Sequence, residues 1–107
     1  MDIKRGDVYY ADLSPVTGAE EGGIRPVLVV SDDNSKDTVI VAVITSRPTG
    51  DKYPAVVPFN DGGMFSQTIL LNHLRTIDKK RLKDFMCSLG SELMQEVNKA
   101  LCFSLGL

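Results

Sequence analysis

The chemistry of this 107-residue chain centres on a cation and a hydroxyl twenty positions apart. Arg25 closes the stretch "EEGGIR" and is followed at once by Pro26 and the apolar run "PVLVVS". Thr45 is the first polar side chain after the unbroken run Val39 to Ile44. Between the two runs lies "DDNSKD" (Asp32 to Asp37), dense in turn formers. A hairpin centred on Ser35 pairs residues whose numbers sum to 70, so Val30 faces Ile40 and Arg25 faces Thr45. Directly opposite residues share a face, and a slip of one position would separate them. Pro26 pushes Arg25 into extended geometry and loses its donor at the first position of the strand, where that loss is tolerated. A guanidinium and a hydroxyl on one face, beneath a loop hinged at Gly22 and Gly23 and carrying Glu20 and Glu21, make a cradle suited to a phosphodiester. Taken singly, each of these residues has a commonplace reading, as an ion-pair partner, a β-former or a solvated loop acid.

The elements that must hold this pair are short strands punctuated by Gly, Pro, Asn and Asp. "DVYYAD" (Asp7 to Asp12) is the first, and Leu13 to Ile24 is a long loop of the kind that usually carries function. "PVLVVS" and "TVIVAVIT" are continuous Val- and Ile-rich runs, expected for central strands covered on both faces. "AVVPF" (Ala55 to Phe59), "QTILLNHL" (Gln67 to Leu74) and "FMCSL" (Phe85 to Leu89) follow. Leu93, Met94, Val97, Ala100 and Leu101 then form the stripe of an amphipathic helix, with Ser91 as the expected N-cap, Glu92 in the first turn and Gly106 at the end. The expected fold is α+β and mainly β, a small twisted antiparallel sheet or open barrel with a C-terminal helix.

Bulk properties bound the possibilities. One domain spanning residues 1–107 is expected, with 43% hydrophobic and 24% charged residues, the balance of a soluble globule. The start "MDIKRGDVYY" is too charged for a signal peptide, and the longest apolar run is far too short to span a membrane, so a cytoplasmic protein with no membrane partner is expected. Cys87 and Cys102 lack metal-ligand spacing and are expected as buried free thiols. The net charge of −2 argues against a general nucleic-acid binder, yet residues 25–83 carry nine basic and six acidic groups, a mildly positive middle between acidic ends. Composition and periodicity alone stop at a small β-rich cytosolic domain.

Together the segments "IKRGDVYYADLSPVTGAEEGGIRPVLVVS", "TVIVAVITS" and "LRTIDKKRL" resemble the MazF/PemK (Kid) family of toxins of type II toxin–antitoxin systems, most nearly its Gram-positive MazF branch. The resemblance runs from Ile3 to the terminal helix. It implies a CcdB/PemK-like fold, an SH3-like barrel or twisted sheet with a C-terminal helix. It also implies a homodimer, cleavage of single-stranded RNA without a metal or other cofactor, and silencing by a MazE-like antitoxin.

The family's catalytic arginine and threonine match Arg25 and Thr45, and its loop acid matches Glu20. Metal-free scission uses the substrate's 2′-hydroxyl as nucleophile and leaves a 2′,3′-cyclic phosphate and a 5′-hydroxyl. Arg25 then serves electrostatics and proton donation, Thr45 donates to a non-bridging oxygen, and Glu20 is the candidate base or orienter of the 2′-hydroxyl. Glu21, Gly22, Gly23, Ser46, Arg47, Asn72, His73 and Arg75 are the candidate RNA-binding residues. Lys52, Lys79 and Lys80 are further candidate phosphate contacts, and Arg75, followed by "TID", has an alternative use in tying strand ends together. His73 is the only histidine, so a two-histidine scheme is impossible within one chain. Asn72-His73 replaces an acid–amide pair of close relatives, and Leu70 or Leu71 replaces an arginine of the Kid branch. The resemblance points to UACAU as the recognised motif. A same-fold gyrase poison of CcdB type and a silent SH3-like binding module are the competing readings.

Overall fold

A computed structural model describes residues 2–14, 23–46, 50, 53–60 and 67–107. Six strands form one sheet: β1 (Asp7–Asp12), β2 (Ile24–Val29), β3 (Thr38–Thr45), β4 (Val56–Phe59), β5 (Gln67–Asp78) and β6 (Leu82–Ser88). Among the described residues one α-helix, α1 (Ser91–Leu105), follows the last strand, and a short 3-10 turn, Lys79–Arg81, joins β5 to β6. The strand order is β4-β5-β3-β2-β1-β6 with every neighbour antiparallel, and the sheet curls into a half-barrel.

The central strands are covered on both faces, as their unbroken apolar runs require. Tyr9, Ala11, Val27, Val29, Val41 and Val43 meet Ile3, Leu13 and Leu82 in one core. Val8, Leu28, Ala42, Ile44, Ile69 and Leu71 form the other, beneath Val97 and Ala100 of α1. Each fully buried Val or Leu contributes about 1.5–3 kcal/mol over its exposed state, so the two cores hold the sheet from both sides. Leu93, Met94 and Leu101 complete the expected helical stripe.

The β2–β3 register is the one expected: Val27 pairs with Val43, Leu28 with Ala42 and Val29 with Val41, each pair summing to 70. Val30 N–H continues the pattern with a 3.0 Å bond to the Ile40 carbonyl.

Four expectations need correction. β2 starts at Ile24, so Arg25 lies inside the strand and Pro26 is its third residue. This is tolerated because the ladder to β3 begins only at Val27, beyond the missing donor. β5 runs on from Leu74 to Asp78, and β6 starts at Leu82, because β3 and β1 supply partners over those lengths. Ser91 is already helical and Gly90 is the N-cap, without a side-chain bond. Cys102 is exposed and Cys87 half-buried, Cys102 lying just past the buried stripe; neither forms a disulfide.

Gly106 ends α1 as expected, in the left-handed conformation with φ of 71°. Its N–H and that of Leu107 close onto the carbonyls of Phe103 and Cys102.

Candidate active site

Arg25 and Thr45 meet. The Arg25 Nη1 donates a 3.3 Å hydrogen bond to Thr45 Oγ1. The contact follows from register: Arg25 pairs with Ala11 on the β1 side, and two residues along its own strand Val27 pairs with Val43. Both side chains therefore stand on the Val27–Val43 face, at the end of the sheet where that core stops. Arg25 is half-buried, which leaves its charge less screened than a surface arginine's. Thr45 is 2% exposed. Its hydroxyl accepts from Arg25, and a hydroxyl can both accept and donate.

The neck of the long loop lies beside this pair and is held by a set of specific bonds. Leu13 N–H donates to the Gly23 carbonyl at 2.9 Å. Gly23 N–H donates to Ser14 Oγ at 3.2 Å, and Ser14 N–H to Asp12 Oδ1 at 3.0 Å. Gly23 takes φ of 78°, a conformation that L side chains rarely adopt, where the chain turns into β2. Two arginines from the far side of the chain then fasten the outgoing strand. Arg75 Nη1 donates to the Leu13 carbonyl at 2.6 Å. Arg81 Nη1 donates to the Asp12 carbonyl at 3.1 Å and to the Ser14 carbonyl. Arg75 thus ties chain segments together, the alternative that "RTID" suggested.

Asn72 and His73 occupy an irregularity in β5. The β3–β5 register passes from Ala42↔Leu74 directly to Val43↔Leu70, so Leu71, Asn72 and His73 stand outside it. Such bulges bend the strand and re-aim side chains, and they are frequent beside active sites. Leu71 anchors the bulge, fully buried and with its N–H 3.1 Å from the Ala55 carbonyl. Asn72 is exposed and His73 half-buried.

Of the remaining candidates, Ser46 is exposed immediately after Thr45. Lys79 is bound to Asp33 Oδ1 at 2.6 Å and to the Ser35 carbonyl at 2.7 Å, fastening the β2–β3 turn. Lys80 is exposed. Glu20, Glu21, Gly22, Arg47 and Lys52 lie outside the described residues. Among the described residues no three His, Cys, Asp or Glu side chains stand together as a metal site, and no helix is long and apolar enough to cross a membrane. The role of Arg81 was not assigned from sequence, and nothing local to "KKRL" could have revealed it, since its acceptors are 67 and 69 residues away.

The chain is similar to known proteins in sequence and in fold. At the sequence level the chain is 47% identical to "Endoribonuclease EndoA" of Bacillus subtilis, over all of this chain and 97% of that protein. The crystal structure of MazF (Form-I) from Deinococcus radiodurans superposes with a TM-score of 0.82 at 26% identity, covering 98% of this chain and 97% of the other. The MazE–MazF (Form-II) structure from the same organism gives 0.75 at 26% identity, covering 98% and 96%. Residues 4–105 match the family described as PemK-like, MazF-like toxin of type II toxin-antitoxin system. With the half-barrel fold and nearly full-length correspondence on both sides, the chain belongs to the PemK-like, MazF-like toxins of type II toxin–antitoxin systems.

Proposed function

We propose that this MazF-type toxin endoribonuclease cuts single-stranded RNA without a metal ion, using the substrate's own 2′-hydroxyl, with Arg25 and Thr45 at the scissile phosphate. The observation that carries the reading is the Arg25–Thr45 contact, a fixed cation and hydroxyl on one face at the end of a core. In the reaction, the 2′-oxygen forms a bond to phosphorus as the bond from phosphorus to the 5′-oxygen breaks. The 2′-hydroxyl proton passes to a base and the departing 5′-oxygen takes a proton, leaving a 2′,3′-cyclic phosphate and a 5′-hydroxyl.

The residues divide these tasks by their chemistry. Arg25 stays charged throughout the working pH range, so it stabilises the negative charge that builds on the phosphoryl oxygens and supplies a donor to the leaving side. Thr45 holds the guanidinium from one side and turns its own hydrogen toward a non-bridging oxygen. Glu20 is the proposed base. A carboxylate with an ordinary value of about 4.3 abstracts a proton well only if its site is partly dry.

Asn72, His73 and Ser46 are proposed to meet the bases, which single-stranded substrates present unstacked. Glu21, Gly22, Gly23 and Arg47 are proposed to line the RNA path, and Arg75 to act at its margin. UACAU is the proposed motif. The proposed protein partners are a second copy of the chain and a MazE-like antitoxin, as in the MazE–MazF neighbour, and the cytoplasm is the proposed compartment. The name of the 47%-identical relative supports the nuclease over a gyrase poison or a silent module.

The test is digestion of a long mixed-sequence RNA in EDTA, with mass spectrometry of the fragment ends. Fragments ending in 2′,3′-cyclic phosphate at one repeated motif are expected. Intact RNA from folded, antitoxin-free protein would overturn the reading, as would 3′-hydroxyl ends or activity only on adding a divalent ion.

A further inference from the structure

Three adjacent strands change from apolar to polar at the same level and on the same face. Val27 of β2 pairs with Val43 of β3, which pairs with Leu70 of β5, a row of three buried apolar side chains. Two residues further along each strand, on the same face, stand Arg25, Thr45 and Thr68. Thr45 pairs directly with Thr68 and bonds to Arg25. The register places the Thr45 and Thr68 Cβ atoms about 4.5–5.5 Å apart. Thr68 is flanked on its outer side by Pro58 of the edge strand β4.

The two threonines differ in access. Thr45 is buried, whereas Thr68 is half-buried. A hydroxyl at the margin of the core, level with the cation and one strand beyond the buried threonine, is placed to meet a ligand that Arg25 already holds.

We propose that Thr68 is a substrate-binding residue, its hydroxyl donating to a non-bridging oxygen of the RNA phosphate chain on the β4 side of Thr45. The inference rests on the nuclease reading and extends its row of contacts from two strands to three. A threonine donates one hydrogen and carries no charge, so Thr68 adds a directional bond without adding to the ionic attraction that Arg25 supplies.

The experiment uses the whole protein and an RNA carrying the motif found in the digest, with a 2′-deoxyribose at the cleavage position so that it binds and is not cut. Thr68→Val keeps the shape and β-forming character of the side chain; Thr68→Ser keeps the hydroxyl. The expected result is that Thr68→Val weakens binding about tenfold, the scale of one hydrogen bond to a charged group. Thr68→Ser should bind within about twofold of the parent, and the slope of log affinity against log salt should be unchanged in both, because no cation is removed. Parent-like binding by Thr68→Val overturns the inference and leaves the nuclease reading standing. Equal weakening by folded Thr68→Ser and Thr68→Val also overturns it, since the hydroxyl would then not be the cause. Failure of the parent itself to bind the RNA overturns both.

Discussion

The Nη1 of Arg75 lies 2.6 Å from the carbonyl oxygen of Leu13, a bond between residues 62 positions apart. Arg81 takes the carbonyls on either side of that residue, at Asp12 and Ser14. Two guanidinium groups thus fasten three consecutive carbonyls where β1 runs out, and Leu13 in turn binds Gly23 at the start of β2. The clamp is continuous with the Arg25–Thr45 pair, because Gly23 is two residues from Arg25.

Removing the clamp should therefore show in both stability and turnover. Arg75→Met and Arg81→Met each delete hydrogen bonds from a charged donor, contributions of about 1.5–3 kcal/mol. Each variant is expected to lower the urea midpoint and to speed hydrogen exchange at the Leu13 amide. Cleavage should fall mainly through kcat. Unchanged exchange at Leu13 would contradict a clamping role.

Arg25→Ala is expected to reduce cleavage by at least about a hundredfold, the usual loss for one preorganised transition-state donor, with fold and dimerisation preserved. Arg25→Lys should recover little, since an ammonium cannot present the planar fork. Single-turnover cleavage of motif RNA, alongside circular dichroism and light scattering, measures this. Persistent cleavage by Arg25→Ala would remove the arginine from the mechanism.

Base choice should separate from cutting. Asn72→Ala and His73→Ala are expected to broaden the set of cleaved sequences while leaving cleavage at the best motif within about tenfold of the parent. Sequencing of fragment ends from a mixed RNA pool measures both at once. An unaltered motif in both variants would place recognition elsewhere.

Alkaline pH should weaken the fold through Tyr9. Burial, then the Asp7 carboxylate, then Asp2, push the Tyr9 hydroxyl above its ordinary value of 10.0. The folded chain therefore holds this proton to higher pH than the unfolded chain does. The resulting stability is complete below about pH 10 and is lost as pH rises through the folded value. The urea midpoint should drop above pH 10, and drop less in Tyr9→Phe, which keeps the edge-on contact with Phe85.

The hairpin was legible because two wholly apolar runs flank a cluster of turn formers, and centring it on Ser35, near the middle of that cluster, gives the observed register. That centring alone brought Arg25 to Thr45. The helical stripe was legible for a similar reason, every member of Leu93, Met94, Val97, Ala100 and Leu101 being at least half-buried. The β5 bulge was not. "QTILLNHLRTID" contains no glycine or proline to mark an interruption, and its three-residue displacement emerges only when Gln67–Leu70 and Leu74–Asp78 pair with the same neighbour. Thr68 stayed hidden for the same reason, since its level relative to Thr45 depends on that displacement. The arginine clamp spans more than sixty residues, a separation at which local pattern carries no signal.

The bulge also bears on how such a protein can diverge. Leu71 secures it within the helix-covered core, while Asn72 and His73 stand outside the β3 register. Exchanging these two side chains leaves the β3–β5 pairings on either side intact, along with the face shared by Arg25 and Thr45. Two adjacent codons of this scaffold can therefore change while the strand pairings that bring Arg25 to Thr45 are inherited unaltered.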